Sequence, residues 1–201
     1  MKKIELFHPR VFEDLVWAEA YHRRNAKNIK KVGRRLSEVL VEGGFQEGRV
    51  LDAGCGFGTV AIELAKTFPQ AQITGIDLAG PLLEMARRFA ANAALTRMPE
   101  FLKGDVMQMD FPHDHFDVVI SSFMLHIVED PVKMLNEIRR VAKPDAIILI
   151  TDLRRIWLGR LVKKMRTAYT LDEALEIAGR SGLKNGVASK GPFWWDYFTG
   201  L

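Results

Sequence analysis

Cysteine is nearly absent from this sequence, because Cys55 is the only one among 201 residues. A single thiol excludes a disulfide within the chain and a zinc site built from several cysteines, and it is typical of a reducing compartment. Long apolar runs are absent too, and stretches such as 146–150 fall far short of the roughly 20 residues that a spanning helix needs. The N-terminus has Glu5, His8 and Pro9 where a signal peptide would be apolar. These absences predict a cytoplasmic protein without a membrane-spanning segment.

Tracts rich in Pro, Gly or Ser that would mark a domain boundary are also missing. With 48% apolar and 27% charged residues the composition is that of an ordinary globular domain, so residues 1–201 are predicted to form one domain. The formal net charge of +4 arises within residues 1–49, which hold 11 basic and 7 acidic residues. Residues 154–166 form a second basic stretch, with six Lys or Arg and no acid. Such asymmetry concerns partners rather than the fold.

Beyond residue 48, short β-branched or apolar runs alternate with segments of helical periodicity, which is typical of a parallel sheet covered by helices. The runs predict strands at 49–52, 72–77, 100–103, 116–121 and 146–152. Helices are predicted to begin at Thr59, Pro81, Asp130 and Leu171. An earlier amphipathic helix is predicted to end at Gly43 and Gly44. Strands at 184–189 and 194–198, around a Lys-Gly-Pro turn, predict a final antiparallel hairpin.

The most informative segment joins a buried strand to a helix through three glycines, and it reads Asp52, Ala53, Gly54, Cys55, Gly56, Phe57 and Gly58. Glycine lets the chain turn sharply and lets a ligand reach the backbone, while the helix N-terminus offers free amides. Residues 56–61 also fit the dinucleotide fingerprint G-x-G-x-x-G/A, so the loop alone leaves a nicotinamide enzyme open. Asp77, at the end of the next strand, suits a pair of ribose hydroxyls in either case.

Four segments together resemble the class I S-adenosylmethionine-dependent methyltransferases, and the resemblance covers most of residues 40–201. They are residues 52–58, 75–78, 104–106, and 116–122 followed by Leu125 and His126. The most similar branch acts on small molecules and includes ubiquinone and menaquinone biosynthesis enzymes. The resemblance implies an α/β, Rossmann-like fold of seven mostly parallel strands, with helices on both faces and a C-terminal antiparallel hairpin. It also implies a helical cap at 1–45 and a cofactor-binding core at 46–201.

The resemblance also implies a role for individual residues. Asp105 would accept a hydrogen bond from the adenine amino group, while the Val106 amide faces the ring. His126 would lie beside the reaction centre as a base or positioning group, the alternative being a helix-start histidine bonded to backbone. Tyr21 and His22 would precede the first long helix, in a region that covers the cofactor as a lid. The predicted binding set for S-adenosylmethionine, and for its product S-adenosylhomocysteine, is Tyr21, Asp52, Ala53, Gly54, Gly56, Gly58, Asp77, Leu78, Asp105, Val106, Ser121 and His126.

Missing elements exclude several kinds of methyl acceptor. Because the only cysteine lies in the glycine loop, methylation of cytosine C5 or of arsenic lacks its thiols. The Asn/Asp-Pro-Pro-Tyr/Phe element of planar-amine methylation is absent, since residues 121–124 read Ser-Ser-Phe-Met. Only Asp152 suits a catalytic metal, and His113 and His115 lack further ligands, so no metal is predicted. The prediction is methyl transfer to O, N or C of a small or lipid-like acceptor.

Other functions remain open at this point. A cofactor-binding partner protein without turnover is one, because no residue is an unambiguous catalyst, and an NAD(P)-dependent oxidoreductase is another. Residues 154–166 fit a packed helix with a solvated basic face, a lid over an anionic or lipid-like acceptor, or a peripheral membrane contact. A nucleic-acid acceptor is disfavoured, because no RNA-binding module is present and the charge is modest. The sequence does not predict an oligomeric state.

Overall fold

The computed structural model describes residues 14–156, 166–183 and 186–200. Its strands are β1 Arg49–Ala53, β2 Gln72–Asp77, β3 Glu100–Lys103, β4 Phe116–Ser122, β5 Ala142–Leu153, β6 Val187–Lys190 and β7 Trp194–Thr199. They form one seven-stranded sheet in the order β3-β2-β1-β4-β5-β7-β6. The first five strands pair in parallel, whereas β7 is antiparallel to both β5 and β6. This topology confirms the predicted fold class and its terminal hairpin.

Five helices are described, and in three of them a side chain just before the first turn accepts hydrogen bonds from its free amides. The five are α1 Leu15–Glu42, α2 Thr59–Thr67, α3 Gly80–Ala91, α4 Pro131–Val141 and α5 Leu171–Arg180. Asp14 and Asp130 accept hydrogen bonds from the first turns of α1 and α4, and Thr170 forms a reciprocal capping box with Glu173. The predicted helix starts are therefore confirmed to within a residue.

Both faces of the sheet are buried, as expected of parallel strands, and successive residues of a strand point to opposite faces. In β4, Val119 belongs to an apolar cluster that includes Ile138 of α4. Val118 and Ile120 belong to a second cluster, which includes Leu36 of α1. The sheet thus separates α4 and α5 from α1, α2 and α3.

α1 is a single helix of 28 residues, and its extent corrects one expectation. The prediction that Tyr21 and His22 precede the first long helix is wrong, because both lie inside α1. Asp14 caps the helix, and no Pro or Gly interrupts residues 15–32. Gly33 allows α2 to approach closely, since a Cβ there would lie 3.2 Å from Glu63 Cβ.

β5 begins at Ala142, earlier than the predicted start at residue 146. Its register against β4 shifts between the pairs Phe116 with Ala142 and Val118 with Ile147. Pro144 lies in this irregular part. Proline has no backbone N–H to donate to the hydrogen bonds between strands, so it is found where the pairing is interrupted. The apolar pattern therefore predicts the regular part of β5, from residue 146 onward, but not the irregular residues 142–145.

Several predicted features fall outside the described residues. They are residues 1–13 of the predicted cap, residues 157–165 of the basic segment, and the first two residues of the strand predicted at 184–189. β6 is observed from Val187. None of the described helices combines the length and the apolar composition needed to cross a bilayer.

Candidate functional site

The carboxyl ends of the five parallel strands meet at one edge of the sheet, and most of the predicted site residues lie there. β1 is flanked by β2 and β4, and the chain winds outward in opposite directions from these two neighbours. In doubly wound sheets, such a reversal leaves a crevice beyond the strand ends where ligands bind. Asp52, Asp77, Asp105 and His126 lie at or just beyond four of these ends.

The glycine loop is anchored to β2 and open towards solvent at its middle. The amides of Gly54 and Cys55 both donate to the Ile76 carbonyl at 2.9 Å. Gly56 has a φ of +53° and a Cβ there would meet nothing within 4 Å, so its backbone faces free space. At Gly54, with a φ of +83°, a Cβ would lie 2.2 Å from the Met124 side chain. The loop is therefore shaped for close approach to its backbone.

Asp77 ties this loop to the end of β2. One carboxylate oxygen accepts from the Gly56 amide at 2.9 Å, and the other accepts from the Ala79 amide at 2.9 Å. Burial raises the pKa of Asp77, although hydrogen bonds from backbone amides lower it. A carboxylate oxygen can accept more than one hydrogen bond, so capacity remains for a ligand. The neighbouring Leu78 side chain is 46% exposed, which is unusual for an apolar residue at a strand end.

Asp52 is a buried carboxyl group that is not fully hydrogen-bonded within the described residues. It is 1% exposed, and its Oδ2 has no hydrogen-bond partner among the residues that the structure describes. Burial raises the pKa of Asp52 to about 7, and the charge of Asp77 also raises it, whereas the Ala61 amide lowers it. Buried polar atoms are rarely left unpaired, so this oxygen fits a site that a cationic or hydrogen-bonding ligand completes.

Three further predicted binding residues have roles within the protein. The Asp105 carboxylate accepts from the Met107 amide at 2.8 Å and closes the turn that follows β3. Val106, in the same turn, is buried. The Ser121 hydroxyl donates to the Ala53 carbonyl at 3.0 Å and joins the ends of β4 and β1. Contact of these residues with a cofactor stays a prediction.

His126 lies in a turn after β4, not at the start of a helix. Its Nδ1 is 2.5 Å from Asp152 Oδ1, and its backbone amide donates to Asp152 Oδ2 at 3.0 Å. Both side chains are almost completely buried, at 3% and 1% exposure. The sequence suggested Asp152 only as a possible metal ligand, and its pairing with His126 was missed. Since β4 and β5 are neighbours, the pairing of Ser122 with Thr151 places Asp152 just beyond the end of β4.

The residues between β4 and His126 also carry a signal that sequence reasoning missed. Phe123 has a φ of +61°, which is unfavourable for a residue with a side chain. Its amide donates to the Thr151 carbonyl at 2.8 Å, which holds the turn against β5. Backbone strain of this kind is concentrated at functional sites. The next residue, Met124, is the one that lies against Gly54.

The first turns of α1 reach the same edge. Tyr21 stacks on Trp17 with ring centroids 5.1 Å apart and meets Phe57 of the glycine loop edge-on at 5.8 Å. Burial, together with the negative charges of Asp77 and Asp152, raises the pKa of Tyr21 to about 12. Tyr21 is thus placed near both carboxylates, whereas His22 packs on Phe57 at 4.9 Å. Across residues 14–156, 166–183 and 186–200, no group of three or more His, Cys, Asp or Glu could hold a metal.

Comparisons with known proteins agree with this geometry. Residues 51–150 match the family model of a methyltransferase domain. The malonyl-[acyl-carrier protein] O-methyltransferase of Legionella pneumophila is 33% identical over 132 residues, which cover 66% of this chain and 45% of that protein. The 2-phytyl-1,4-naphtoquinone methyltransferase of Synechococcus elongatus is 36% identical over 122 residues, covering 60% and 52%. The chain thus spans about half the length of these two relatives.

A solved structure matches the whole fold. A putative S-adenosylmethionine-dependent methyltransferase from Methanococcus maripaludis superposes with a TM-score of 0.78 at 19% identity, covering 98% of this chain and 96% of that one. Sheet order and glycine loop define a Rossmann-like methyltransferase fold. The chain belongs to the class I S-adenosylmethionine-dependent methyltransferases, and S-adenosylmethionine is its cofactor. The open backbone at Gly56 and the unpaired oxygen of Asp52 fit a cofactor of this kind.

Proposed function

We propose that this chain transfers a methyl group from S-adenosylmethionine to a small-molecule or lipid-like acceptor. The observation that carries the proposal is a juxtaposition at one sheet edge: an open glycine loop, the buried carboxyl group of Asp52, the partly buried one of Asp77, and a buried histidine–carboxylate pair. The two curated relatives support an acceptor of this class, because one is named for an acyl thioester and the other for a phytyl-substituted naphthoquinone.

The chain's own residues divide the work of binding the cofactor. Asp77 would hold the ribose hydroxyls, while exposed Leu78 would cover one face of the adenine. Asp105 and the Val106 amide would recognise the adenine edge. Asp52 would face the polar end of the cofactor, where its unpaired oxygen gains a partner. The bound group supplies an electrophilic methyl on a sulfonium, so the protein mainly has to align an acceptor, exclude water and remove a proton.

α1 fits the role of a cap within a single methyltransferase domain. Tyr21 lies near Asp77 and Asp152, and it contacts Phe57 of the glycine loop. We propose that this part of α1 covers the bound cofactor and limits the entry of water. A division into a cap at 1–45 and a core at 46–201 is part of this proposal.

His126 is proposed as the residue that accepts the acceptor's proton. It lies beyond β4, at the same edge as the glycine loop, and its ring is bonded to Asp152. General-base catalysis by a positioned side chain contributes roughly 100-fold to 10,000-fold to a reaction rate. Replacing His126 with Asn should therefore lower the rate of transfer by roughly that range at saturating cofactor.

Membrane contact through residues 154–166 and a cytoplasmic location stay proposals. Two basic residues of that segment are used within the protein: Arg155 bonds the Glu173 carboxylate and the Ala168 carbonyl, and Arg154 donates to the Pro192 carbonyl. This leaves less of the segment's charge for a partner. The remaining support is the amphipathic pattern of the sequence and the lipid-like portion of one relative's acceptor.

The proposed function is tested by transfer of a labelled methyl group from S-adenosylmethionine to a panel of acceptors. The panel contains 1,4-naphthohydroquinone, palmitic acid and a malonyl thioester, and Asp77→Ala is the matched variant with a damaged site. We expect labelling of at least one acceptor by the natural chain and weaker labelling by the variant at low cofactor concentration. Tight cofactor binding without transfer to any acceptor in a broad panel would instead support a binding protein without turnover.

A further inference from the structure

The buried pair of His126 and Asp152 is held in one orientation by the backbone. Asp152 Oδ1 lies 2.5 Å from His126 Nδ1 and accepts a hydrogen bond from the Leu153 amide at 2.5 Å. Its Oδ2 accepts a hydrogen bond from the His126 amide at 3.0 Å. Each carboxylate oxygen is therefore engaged by at least one donor. The carboxylate has little freedom to rotate, and neither has the imidazole bonded to it.

This arrangement decides which ring nitrogen carries the proton in the neutral imidazole. An ionised carboxylate only accepts hydrogen bonds, so Nδ1 has to be the donor towards Asp152. The proton is then on Nδ1, and Nε2 keeps a lone pair. Throughout the part of the chain that the structure describes, no hydrogen-bond partner is seen for Nε2. Among the described residues, the ring nitrogen with basic character is thus the one without a protein partner.

We infer that Asp152 is a positioning residue that fixes His126 as an Nε2 base, and that the methyl acceptor is a group that keeps its proton at neutral pH, such as a phenolic or enolic hydroxyl, and not a carboxylic acid. The inference rests on the proposed function. A carboxylic acid, with an ordinary pKa near 4, is already ionised at neutral pH and needs no base. A phenol, with a pKa near 10 like that of tyrosine, keeps its proton until a base of imidazole strength removes it during transfer.

The step balances with the groups already named. The acceptor hydroxyl gives its proton to His126 Nε2, and the electron pair of that O–H bond stays on oxygen. An oxygen lone pair forms the new bond to the methyl carbon as the carbon–sulfur bond breaks, and that electron pair returns to sulfur. The products are a methyl ether, a neutral thioether and an imidazolium whose charge Asp152 stabilises. Among the described residues, Tyr21 is a titratable group that interacts electrostatically with Asp152.

The test is nitrogen NMR of the protein labelled in its histidines, at pH 8, with His126→Asn used to assign the ring signals. We expect the natural chain to show a protonated Nδ1 and an unprotonated Nε2 at His126. Asp152→Asn should lower the share of the Nδ1-protonated form, because a neutral amide oxygen accepts more weakly than a carboxylate. Asp196→Asn is the matched control, since Asp196 is equally buried on the neighbouring strand, and it should leave the ratio unchanged.

Acceptor class is tested on the same samples, saturated with S-adenosylhomocysteine, using 2-naphthol and 2-naphthoate as a matched pair of probes. We expect 2-naphthol to shift the Nε2 signal and 2-naphthoate to leave it in place. A proton on Nε2 of the natural chain, or an equal response to the two Asn variants, would overturn the role of Asp152. No response to the phenol would overturn the acceptor class. Failure of S-adenosylhomocysteine to bind counts against the proposed function instead, because the tautomer is read without any ligand.

Discussion

Two neighbouring strands each bury one carboxylate, and the partners of the two carboxylates differ in kind. Asp152 of β5 is paired with a histidine, whose proton can leave. Asp196 of β7 is paired with Arg35 of α1, through two bonds of 2.7 and 2.8 Å, and an arginine never loses its charge in proteins. Both carboxylates are at most 2% exposed, so burial does not distinguish them. The partner distinguishes them: the His126–Asp152 pair lies in the candidate site, whereas the Arg35–Asp196 pair, here called the structural joint, connects α1 to β7.

The same contrast extends to the other acids. At the carboxyl edge, Asp52 has an unpaired oxygen and Asp77 is bonded to backbone amides. Away from that edge, Glu63 of α2 is held by Lys66 and by Arg34 of α1, at 3.0 and 3.1 Å. Lys and Arg side chains thus pair with the acids away from the site, whereas Asp52 and Asp77 at the site have no such cationic partner among the described residues. Each prediction below tests one side of this comparison.

The largest effect on stability is expected at the structural joint. Arg35→Ala leaves Asp196 buried without its cation, and breaking such a pair costs about 3 to 5 kcal/mol. The value should lie near the lower end, because the Arg35 side chain is 32% exposed. Urea unfolding measures the loss, and Arg23→Ala, which breaks an exposed pair with Glu19, is the control. Weakened binding of S-adenosylhomocysteine at temperatures where the variant is folded would contradict the assignment of Arg35 to the scaffold.

A second large effect is expected at the glycine loop. Gly54→Val places a β-branched side chain at a φ of +83°, where even a Cβ alone would lie within 2.3 Å of two Met124 atoms. The left-handed conformation alone costs roughly 1–2 kcal/mol for a residue with a Cβ. We expect cofactor binding to be lost in calorimetric titration while the protein still folds. Gly179→Ala, with nothing within 4 Å of its Cβ, is the control, and normal binding by Gly54→Val would reduce the loop to a plain turn.

Asp77→Ala should weaken cofactor binding without destroying the fold. Hydrogen bonds from ribose hydroxyls to a carboxylate are worth about 1.5 to 3 kcal/mol each, and the variant also releases the amides of Gly56 and Ala79. With two such bonds lost, the dissociation constant for S-adenosylhomocysteine should rise by about two to four orders of magnitude. Unchanged affinity would remove Asp77 from the site.

The pH dependence of stability should carry a contribution from Asp52. The pKa of Asp52 is raised from 3.8 to about 7 in the folded protein, so folding favours its protonated form. Its stabilising contribution is fully present below pH 3.8 and is lost as the pH rises through 7, at no more than about 1.4 kcal/mol per pH unit. Urea unfolding of the natural chain and of Asp52→Asn should therefore diverge between pH 4 and 7. Parallel pH profiles would show that Asp52 titrates in the ordinary acidic range.

The smallest effect concerns the basic segment. Changing Lys163 and Lys164 to Gln should lower affinity for anionic vesicles by about 1 kcal/mol per lysine at low salt. The effect should fade as the Debye length falls from about 10 Å at 0.1 M to about 3 Å at 1 M salt. Binding of S-adenosylhomocysteine is the internal control. Sedimentation with vesicles that is unaffected by both salt and substitution would leave the segment without a membrane role.

Local patterns in the sequence predict most of the sheet. The strands at 72–77 and 100–103 match the structure at both ends, because short apolar runs between turn residues report burial directly. The glycine loop and the acids at or just beyond the ends of β1, β2 and β3 are likewise visible, since each belongs to a contiguous motif.

Contacts between distant parts of the chain were not predictable in this way. His126 and Asp152 are 26 residues apart, and Arg35 and Asp196 are 161 apart, so each pair depends on the order of strands in the sheet. The position of Tyr21 within α1 was missed because the capping role of Asp14 was not recognised. The irregular start of β5 was missed because Pro144 normally ends a segment.

The most direct test of the central claim is calorimetric titration of the natural chain with S-adenosylhomocysteine and, separately, with NADH. The glycine loop alone fits either cofactor, whereas the carboxyl edge described above is assigned to S-adenosylmethionine. We predict saturable binding of S-adenosylhomocysteine at one site per chain, weakened in Asp77→Ala, with no heat from NADH. Saturable binding of NADH in the absence of any response to S-adenosylhomocysteine would contradict the account.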